Sequence, residues 1–591
     1  MADSAAISPV QRLWRLLAAE RRDIGYLYVY AALAGVISLS LPLGVQSVIG
    51  FVSSGAISTS LVVLIGLIVL GTLLVGALQI MQVYLVEYMQ QRLMARVALD
   101  FAVRLPHVRP EMLPEGEYLP ELMNRLLDVP TLQKGLTTIL VEFSAAGLQI
   151  TFGLVLLAFY HPVFIAFGLV LVLILYVLIR LTGPRGLHTS VVESKYKYRM
   201  VAWLADVART VGSFRLPARQ HLALGRTDEL LNGYLEARQA HFGVLLTQSW
   251  GFVAFKTLVT AALLSIGCWL LVSKQINIGQ FVAAEIVIIL TIGAVEKLIL
   301  KLDVVYDALT ALDKIGHVLD LDVAEPLTGT AALPAPATAG LAVEIRELTY
   351  QFPGASRPAL HSLSLDVVPG QHLALTGADG SGRATLLRLL AGRLSGYTGQ
   401  VALGGLPLAD LSPDALAAAV GDNLQQELLT GTALDNITLH QPQLTAADAA
   451  WAIELVGLRD DLYARPAGLQ TLVGPGYPLG AGTAQKLLLA RALVHRPRLL
   501  LLDQLLPAAA PAEQQQVLRR LLAPGQPWSL LLSTTQPDLL ALLPRVAVLD
   551  AGRVVAEGSF EEVQTRPELR ALLAPSVMLT KEAASPRETT Q

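Results

Sequence analysis

The chain has 591 residues, 53% of them apolar and only 15% charged, with mean hydropathy +0.54 and a net charge of −3. That balance is too apolar for an ordinary soluble chain and gives no reason to propose nucleic acid as a partner. The single cysteine, Cys268, excludes a disulfide or a cysteine-based metal site within the chain.

In residues 1–23, Arg12, Arg15, Arg21 and Arg22 alternate with leucines and Trp14. The stretch is too long for a cleavable signal and predicts an amphipathic helix at the cytoplasmic interface. Residues 24–319 carry the hydrophobicity. No charged residue lies between Asp23 and Glu87, or between Glu142 and Arg180. One bilayer crossing needs roughly 20 apolar residues, so each gap holds two spans. A third pair reads from about Gly251 to Val272 and from about Asn277 to Val295, which makes six.

Basic residues give the orientation. The tight turns near Ser53-Ser54-Gly55, Tyr160-His161-Pro162 and Ser273-Lys274-Gln275 share one Lys or Arg, whereas the two long connections carry sixteen. Positive charge marks the cytoplasmic side, so both connections, the N-terminus and the C-terminal half are expected there. The helical pattern persists from Val83 to Arg104 and from Val191 to Ala240, which predicts membrane helices that run on into the cytoplasm. Short amphipathic pieces, Glu117–Leu127 and Asp206–Phe214, lie at the turning points, either as docking elements or as solvated helix ends. Glu285 is an intramembrane carboxylate and a functional candidate on that ground, or else faces the chamber between helices or snorkels with no dedicated role. Lys256 reads as snorkelling to the interface, and His161 has no metal-like companions.

Residues 320–340, with LTGTAALPAPATAG (Leu327–Gly340), read as a Pro/Ala/Gly linker. From 341 to 575 short Val/Leu-rich strands alternate with helical stretches, which predicts an α/β domain with a largely parallel sheet. A polar tail, 576–591, is expected to be disordered. Within the α/β domain, Gly377-Ala-Asp-Gly-Ser-Gly-Arg-Ala-Thr385 follows a strand-like run and opens into a helical one, the setting of a phosphate-binding loop. There glycine N–H groups wrap phosphates and the helix N-terminus adds a favourable dipole. A lysine should neutralise the β/γ-phosphates and a Ser/Thr hydroxyl should hold Mg²⁺, but Arg383 and Ala384 stand in those places. Gly377, Gly380, Ser381, Gly382 and Thr385 keep the loop's shape, which also suits a tight turn required by the fold alone.

Taken together, the six spans, the two excursions and the C-terminal domain resemble the ATP-binding cassette (ABC) exporters of half-transporter type. The motifs stand in that family's order: Phe352 at the adenine-stacking position, the phosphate loop, Leu479-Gly480-Ala481-Gly482-Thr483 at the signature loop, and Leu499–Asp503 at the Mg²⁺-associated strand. The resemblance implies an α-helical transmembrane domain of six spans plus a C-terminal α/β P-loop cassette domain. It also implies two cassettes that sandwich ATP between one chain's phosphate loop and the other's signature loop.

The departures carry the expected mechanism. The signature serine is Gly480, Ala481 puts a Cβ beside the phosphates, and Thr483 replaces the glutamine. The general base after Asp503 is Gln504, an amide that cannot accept the proton of an attacking water. The switch histidine falls at Thr535, the Mg²⁺-sensing glutamine at Leu424 beside Gln425 and Gln426, and the later aspartate at Ala510. Asp503 alone is left as a weak metal ligand. The expectation is therefore weak or absent ATP binding, doubtful Mg²⁺ and no hydrolysis in this chain's own site. The chain reads as the hydrolysis-deficient half of an exporter paired with an active cassette chain, a heterodimer rather than a homodimer. It is placed as a multi-pass protein in a bacterial-type inner membrane, with its cassette in the cytoplasm. An ATP-independent membrane scaffold or regulator is the alternative. The first hairpin, LPLGVQSVIGFVSSGAIST, is similar to peptide and protein exporters of the haemolysin-secretion type, which would add a periplasmic adaptor as a partner. A lipid or drug-like substrate stays open.

Overall fold

The computed structural model describes residues 8–53, 59–108, 113, 119–215, 217–321, 329–334, 339–425 and 427–566. The chain divides into two compact units at Val323/Ala324. Parts of the 320–340 segment and the whole of 576–591 lie outside the described residues, as do Ser54 and Gly55 of the first turn and Gln426.

The first unit is helical throughout. It comprises α1 (Pro9–Ala19), α2 (Arg21–Ser38), α3 (Ser40–Ser53), α4 (Thr59–Arg104), α5 (Leu119–Leu122) and α6 (Val129–Thr137). There follow α7 (Ser144–Tyr160), α8 (Val163–Arg209), α9 (Val211–Phe214), α10 (Pro217–Val272), α11 (Ile278–Leu300) and α12 (Leu302–Leu319). Six of the helical runs are long and apolar enough to cross a membrane. Helix α1 starts at Pro9 behind the Ser8 cap, whose Oγ accepts from Gln11 N–H, and ends at Ala19, while residues 1–7 of the expected 1–23 segment lie outside the described residues. The first span is broken at Leu39 because Pro42 has no N–H and its ring would clash with the carbonyl of Ser38.

α4, α8 and α10 have 46, 47 and 56 residues. At 1.5 Å per residue they run about 70–85 Å, against a hydrocarbon core of about 30 Å, so more than half of each lies beyond the bilayer. α5 with the 3₁₀ turn Met123–Asp128, and α9, occupy the turning points of these excursions. The core at membrane depth joins Leu157, Phe164, Leu171, Phe255, Leu270 and Val295, from α7, α8, α10 and α11. Nearer the cytoplasm, Val97, Phe101, Leu132, Leu312 and Ile315 form a second core. Gly135 permits that packing, because a Cβ there would collide with Ala308 on α12. The outer face of α4, by contrast, exposes Val62, Leu67, Leu70 and Leu73, a surface suited to lipid. Glu285 is half-buried on α11 and has no ion-pair or hydrogen-bond partner among the described residues.

The second unit holds twelve strands: β1 (Val343–Tyr350), β2 (Leu360–Val367), β3 (His372–Gly377), β4 (Thr398–Leu403), β5 (Leu406–Pro407) and β6 (Val420–Asp422). The remainder are β7 (Gly431–Thr432), β8 (Leu472–Val473), β9 (Leu499–Asp503), β10 (Ser529–Ser533), β11 (Arg545–Asp550) and β12 (Arg553–Gly558). A six-stranded sheet in the order β12-β11-β3-β10-β9-β6 is parallel except for β12. Its central strands are apolar on both faces, with Leu499–Leu502 and Leu530–Leu532 fully buried, as a sheet covered on both sides requires. The largely parallel sheet expected from the sequence is this one. A separate antiparallel sheet, β2-β1-β4-β5, adds to it.

Two half-buried histidines are expected to make the cassette acid-sensitive. Burial lowers the pKa of both His372 and His495 below the usual histidine range, so the fold holds them neutral. The unfolded chain then binds the protons, and the stability is full above about pH 6.5 and is lost as pH falls through the depressed folded values. Thermal unfolding of the cassette transition should therefore move to lower temperature between pH 7.5 and pH 5.5, and His495→Gln should shrink that difference.

Candidate functional site

At the C-terminal end of β3 the chain turns through Gly377, Gly380 and Gly382, at φ of 150°, 81° and 102°. Gly382 caps the helix Arg383–Leu390 in a left-handed conformation, and a Cβ there would lie 2.7 Å from the Ala359 carbonyl, so only glycine fits. The loop borders a cleft of about 350 Å³. Phe352 forms one wall, edge-on to Tyr350 with ring centroids 5.0 Å apart. Asp379 through Thr385, Asp503, Gln504 and Ser533 form the rest. The structure thus brings Phe352, the loop, and the adjacent Asp503 and Gln504 to one place from three separate stretches of chain.

Within the cleft the charges are partly spent. Arg383 Nη2 lies 3.3 Å from Asp379 Oδ1, an i,i+4 pair along the loop and helix. Ala384 lines the cleft with a methyl group and offers no oxygen. Ser381 is buried and its Oγ has no hydrogen-bond partner in the described residues, leaving a free donor inside the turn. The cradle therefore fits phosphate oxygens, through glycine N–H groups, Ser381 and the helix N-terminus. For Mg²⁺ the cleft offers the Asp503 carboxylate, while Ala384 supplies no hydroxyl beside it.

Asn423 holds the end of β9. Its Oδ1 accepts from Asp503 N–H at 2.8 Å and its Nδ2 donates to the Gln504 carbonyl at 3.0 Å. Gln504 N–H donates to the Ser533 carbonyl, and Gln504 sits at φ 61°, a left-handed conformation that a non-glycine residue adopts only when clamped. Its side chain is exposed on the cleft and carries an amide, which cannot take up a proton as a carboxylate would. The sequence reading missed Asn423, which acts here through tertiary contacts. It also missed the Asp379–Arg383 pair, which four-residue spacing could have signalled.

Two candidate positions lie apart from the cleft. Leu424 is half-buried against the core between the sheets, and its backbone N–H is satisfied by Asp422. Thr535 is exposed and borders none of the cleft. The signature segment also sits away from it. Its helix spans Ala481–Leu493, with Gly480 as an N-cap that has no side chain to cap with. Leu479 packs into the core, Gln485 Oε1 accepts from Ala508 N–H at 2.8 Å, and buried Lys486 pairs with Asp461 and Glu513. Gly482 and Thr483 are half-buried, while Gly480 and Ala481 face solvent. A Cβ at Gly480 would meet nothing closer than Thr483 Oγ1 at 3.9 Å.

Residues 24–295 match the family model described as the ABC transporter transmembrane region, and residues 360–506 match the one described as ABC transporter. The chain belongs to the ABC transporters. Over 97% of its length this ABC transporter chain superposes on all of a bacterial Atm1-family ABC exporter solved with ATP bound, at TM-score 0.82 and 18% identity, which establishes the exporter fold. It is 26% identical to the ATP-dependent lipid A-core flippase of Burkholderia orbicola over 95% of both chains. It is 32% identical to a multidrug efflux ATP-binding/permease protein of Mycobacterium bovis over 57% of this chain, a match that spans 28% of that relative's length. It is an integral multi-pass membrane protein of exporter type with a cytoplasmic cassette. The family binds ATP with Mg²⁺, and its exporters often work as dimers.

Proposed function

We propose that this chain is the hydrolysis-deficient half of a two-chain ABC exporter, driven by a partner cassette whose catalytic residues are complete. The observation that carries the reading is the cleft itself. The phosphate cradle, Phe352 and the clamped backbone of Gln504 are retained, while the base, the Mg²⁺ hydroxyl and the free phosphate lysine are replaced by Gln504, Ala384 and an Arg383 tied to Asp379. The cleft supports weak nucleotide holding without turnover. The signature loop favours a role across the partner's ATP, since Gly482 and the helix behind it still present backbone N–H groups.

A homodimer would carry two crippled sites, so a heterodimer is the better assembly. Native mass spectrometry of the chain purified from its native membrane is expected to give a complex with a second ABC half-transporter. A stable monomer, under conditions that preserve other exporters, would count against this. The export direction follows from the family. The first hairpin favours a peptide or protein cargo delivered to a periplasmic adaptor, whereas the full-length likeness to a lipid A flippase favours a lipid-like one. An ATP-independent scaffold is the competing reading, favoured by the loss of Thr535 and Leu424 from the cleft.

A further inference from the structure

At the cytoplasmic end of the first span, the α1–α2 junction and α4 enclose a polar cavity of about 440 Å³ that belongs to neither the cassette cleft nor the helix core. Arg21, Arg22 and Arg92 line it together with Glu20, Asp23 and Tyr26. The two carboxylates are already engaged: Arg92 binds Asp23 and lies 3.0 Å from Glu20, and Arg96 lies 3.7 Å from Glu20. Arg21 and Arg22 have no carboxylate partner in the described residues, and both are exposed. Four guanidiniums against two carboxylates leave an excess of two positive charges. The Arg22 guanidinium sits 5.9 Å from the centre of the Tyr26 ring, which holds it at the cavity mouth.

The surroundings set the depth of this cavity. Ile24 opens the charge-free stretch that runs to Glu87. Trp14, Tyr26 and Tyr28 on one side and Tyr84 and Tyr88 on α4 are all exposed, an aromatic group typical of the headgroup level. Deeper along α2 the exposed residues become apolar, with Val29, Leu33 and Val36, and α4 adds Ile80 and Met81. An uncompensated pair of cations therefore stands directly above an apolar, lipid-facing track.

We propose that this cavity binds the phosphate headgroup of an anionic phospholipid of the cytoplasmic leaflet, held by Arg21 and Arg22, with its acyl chains along α2 and α4. The planar guanidinium fork matches two phosphate oxygens at once, and basic pockets at the cytoplasmic face of membrane helices recognise such headgroups. α1 carries Arg12, which pairs with Asp320 at the end of α12, and its Leu13, Leu16 and Leu17 pack into the cytoplasmic core with Ile315. A lipid at this junction is thereby linked to the helix that continues from the last span.

The test is native mass spectrometry of the full chain in detergent, titrated with phosphatidylglycerol or with phosphatidylcholine of the same acyl chains. Phosphatidylglycerol should be retained selectively, and Arg21→Ala and Arg22→Ala should each weaken it about fivefold, the contribution of one basic side chain at an anionic leaflet. Arg21→Lys/Arg22→Lys, which keeps the charge and loses the fork, should fall between, and Arg226→Ala on the distal part of α10 should change nothing. Millimolar inorganic phosphate should fail to displace the lipid. Equal retention of the two lipids, an unaltered Arg21→Ala/Arg22→Ala double variant, or displacement by inorganic phosphate would each overturn the proposal.

Discussion

Purified on its own, the chain is expected to release phosphate from Mg-ATP no faster than a protein-free control. A lost general base costs on the order of 10²–10⁴ in rate, and a lost electrostatic donor on the order of 10²–10³. Against a typical turnover of about 10 s⁻¹, loss of the base at Gln504 alone leaves about 0.1–0.001 s⁻¹, so it is the loss of the metal hydroxyl and the phosphate lysine beside it that brings the site down to background. Ala384 removes a metal ligand, and Arg383, a bulkier planar fork in place of a lysine ammonium, lies 3.3 Å from the exposed Asp379 carboxylate. These groups act as a unit, so their losses do not multiply, but no single survivor can restore the rate. The control is Asp503→Ala purified in the same way. Robust Mg²⁺-dependent phosphate release that disappears in that variant would show an active site where none is expected.

Restoring the signature loop should act on the other chain's ATP. In the native complex, Gly480→Ser together with Ala481→Gly is expected to raise ATPase about tenfold, the worth of one recovered charge-assisted hydrogen bond. The substitution has room, since the nearest atom to a Cβ at Gly480 is 3.9 Å away. A serine there would also cap the helix Ala481–Leu493, which now starts without a side-chain cap. A separate thermal-stability measurement distinguishes the two effects: a cap raises the unfolding temperature and leaves turnover unchanged. Gln504→Glu, by contrast, should leave ATPase nearly unaltered, because that site still lacks its metal hydroxyl. If neither restoration changes ATPase or export, the cassette serves as a scaffold.

The membrane unit was legible because charge is so costly in a bilayer: two charge-free stretches and a third apolar pair mark six spans before any geometry is known. The interruption at Leu39 was missed, although Pro42 signalled it, because an apolar run was read as one helix. The antiparallel sheet was likewise missed, since β1 and β2 pair across a turn whose partners periodicity cannot name. In the cleft, the residue types were readable from the motifs. Their arrangement was not, because Asn423 clamps Gln504 across 81 positions of chain.

The most direct test of the two-chain account is vanadate trapping of a photoreactive ATP analogue in the complex purified from its native membrane. Trapping requires hydrolysis, so it reports which cassette turns over. The account predicts vanadate-dependent label on the partner cassette alone. Vanadate-dependent label on this chain, lost in the Asp503→Ala variant, would contradict it.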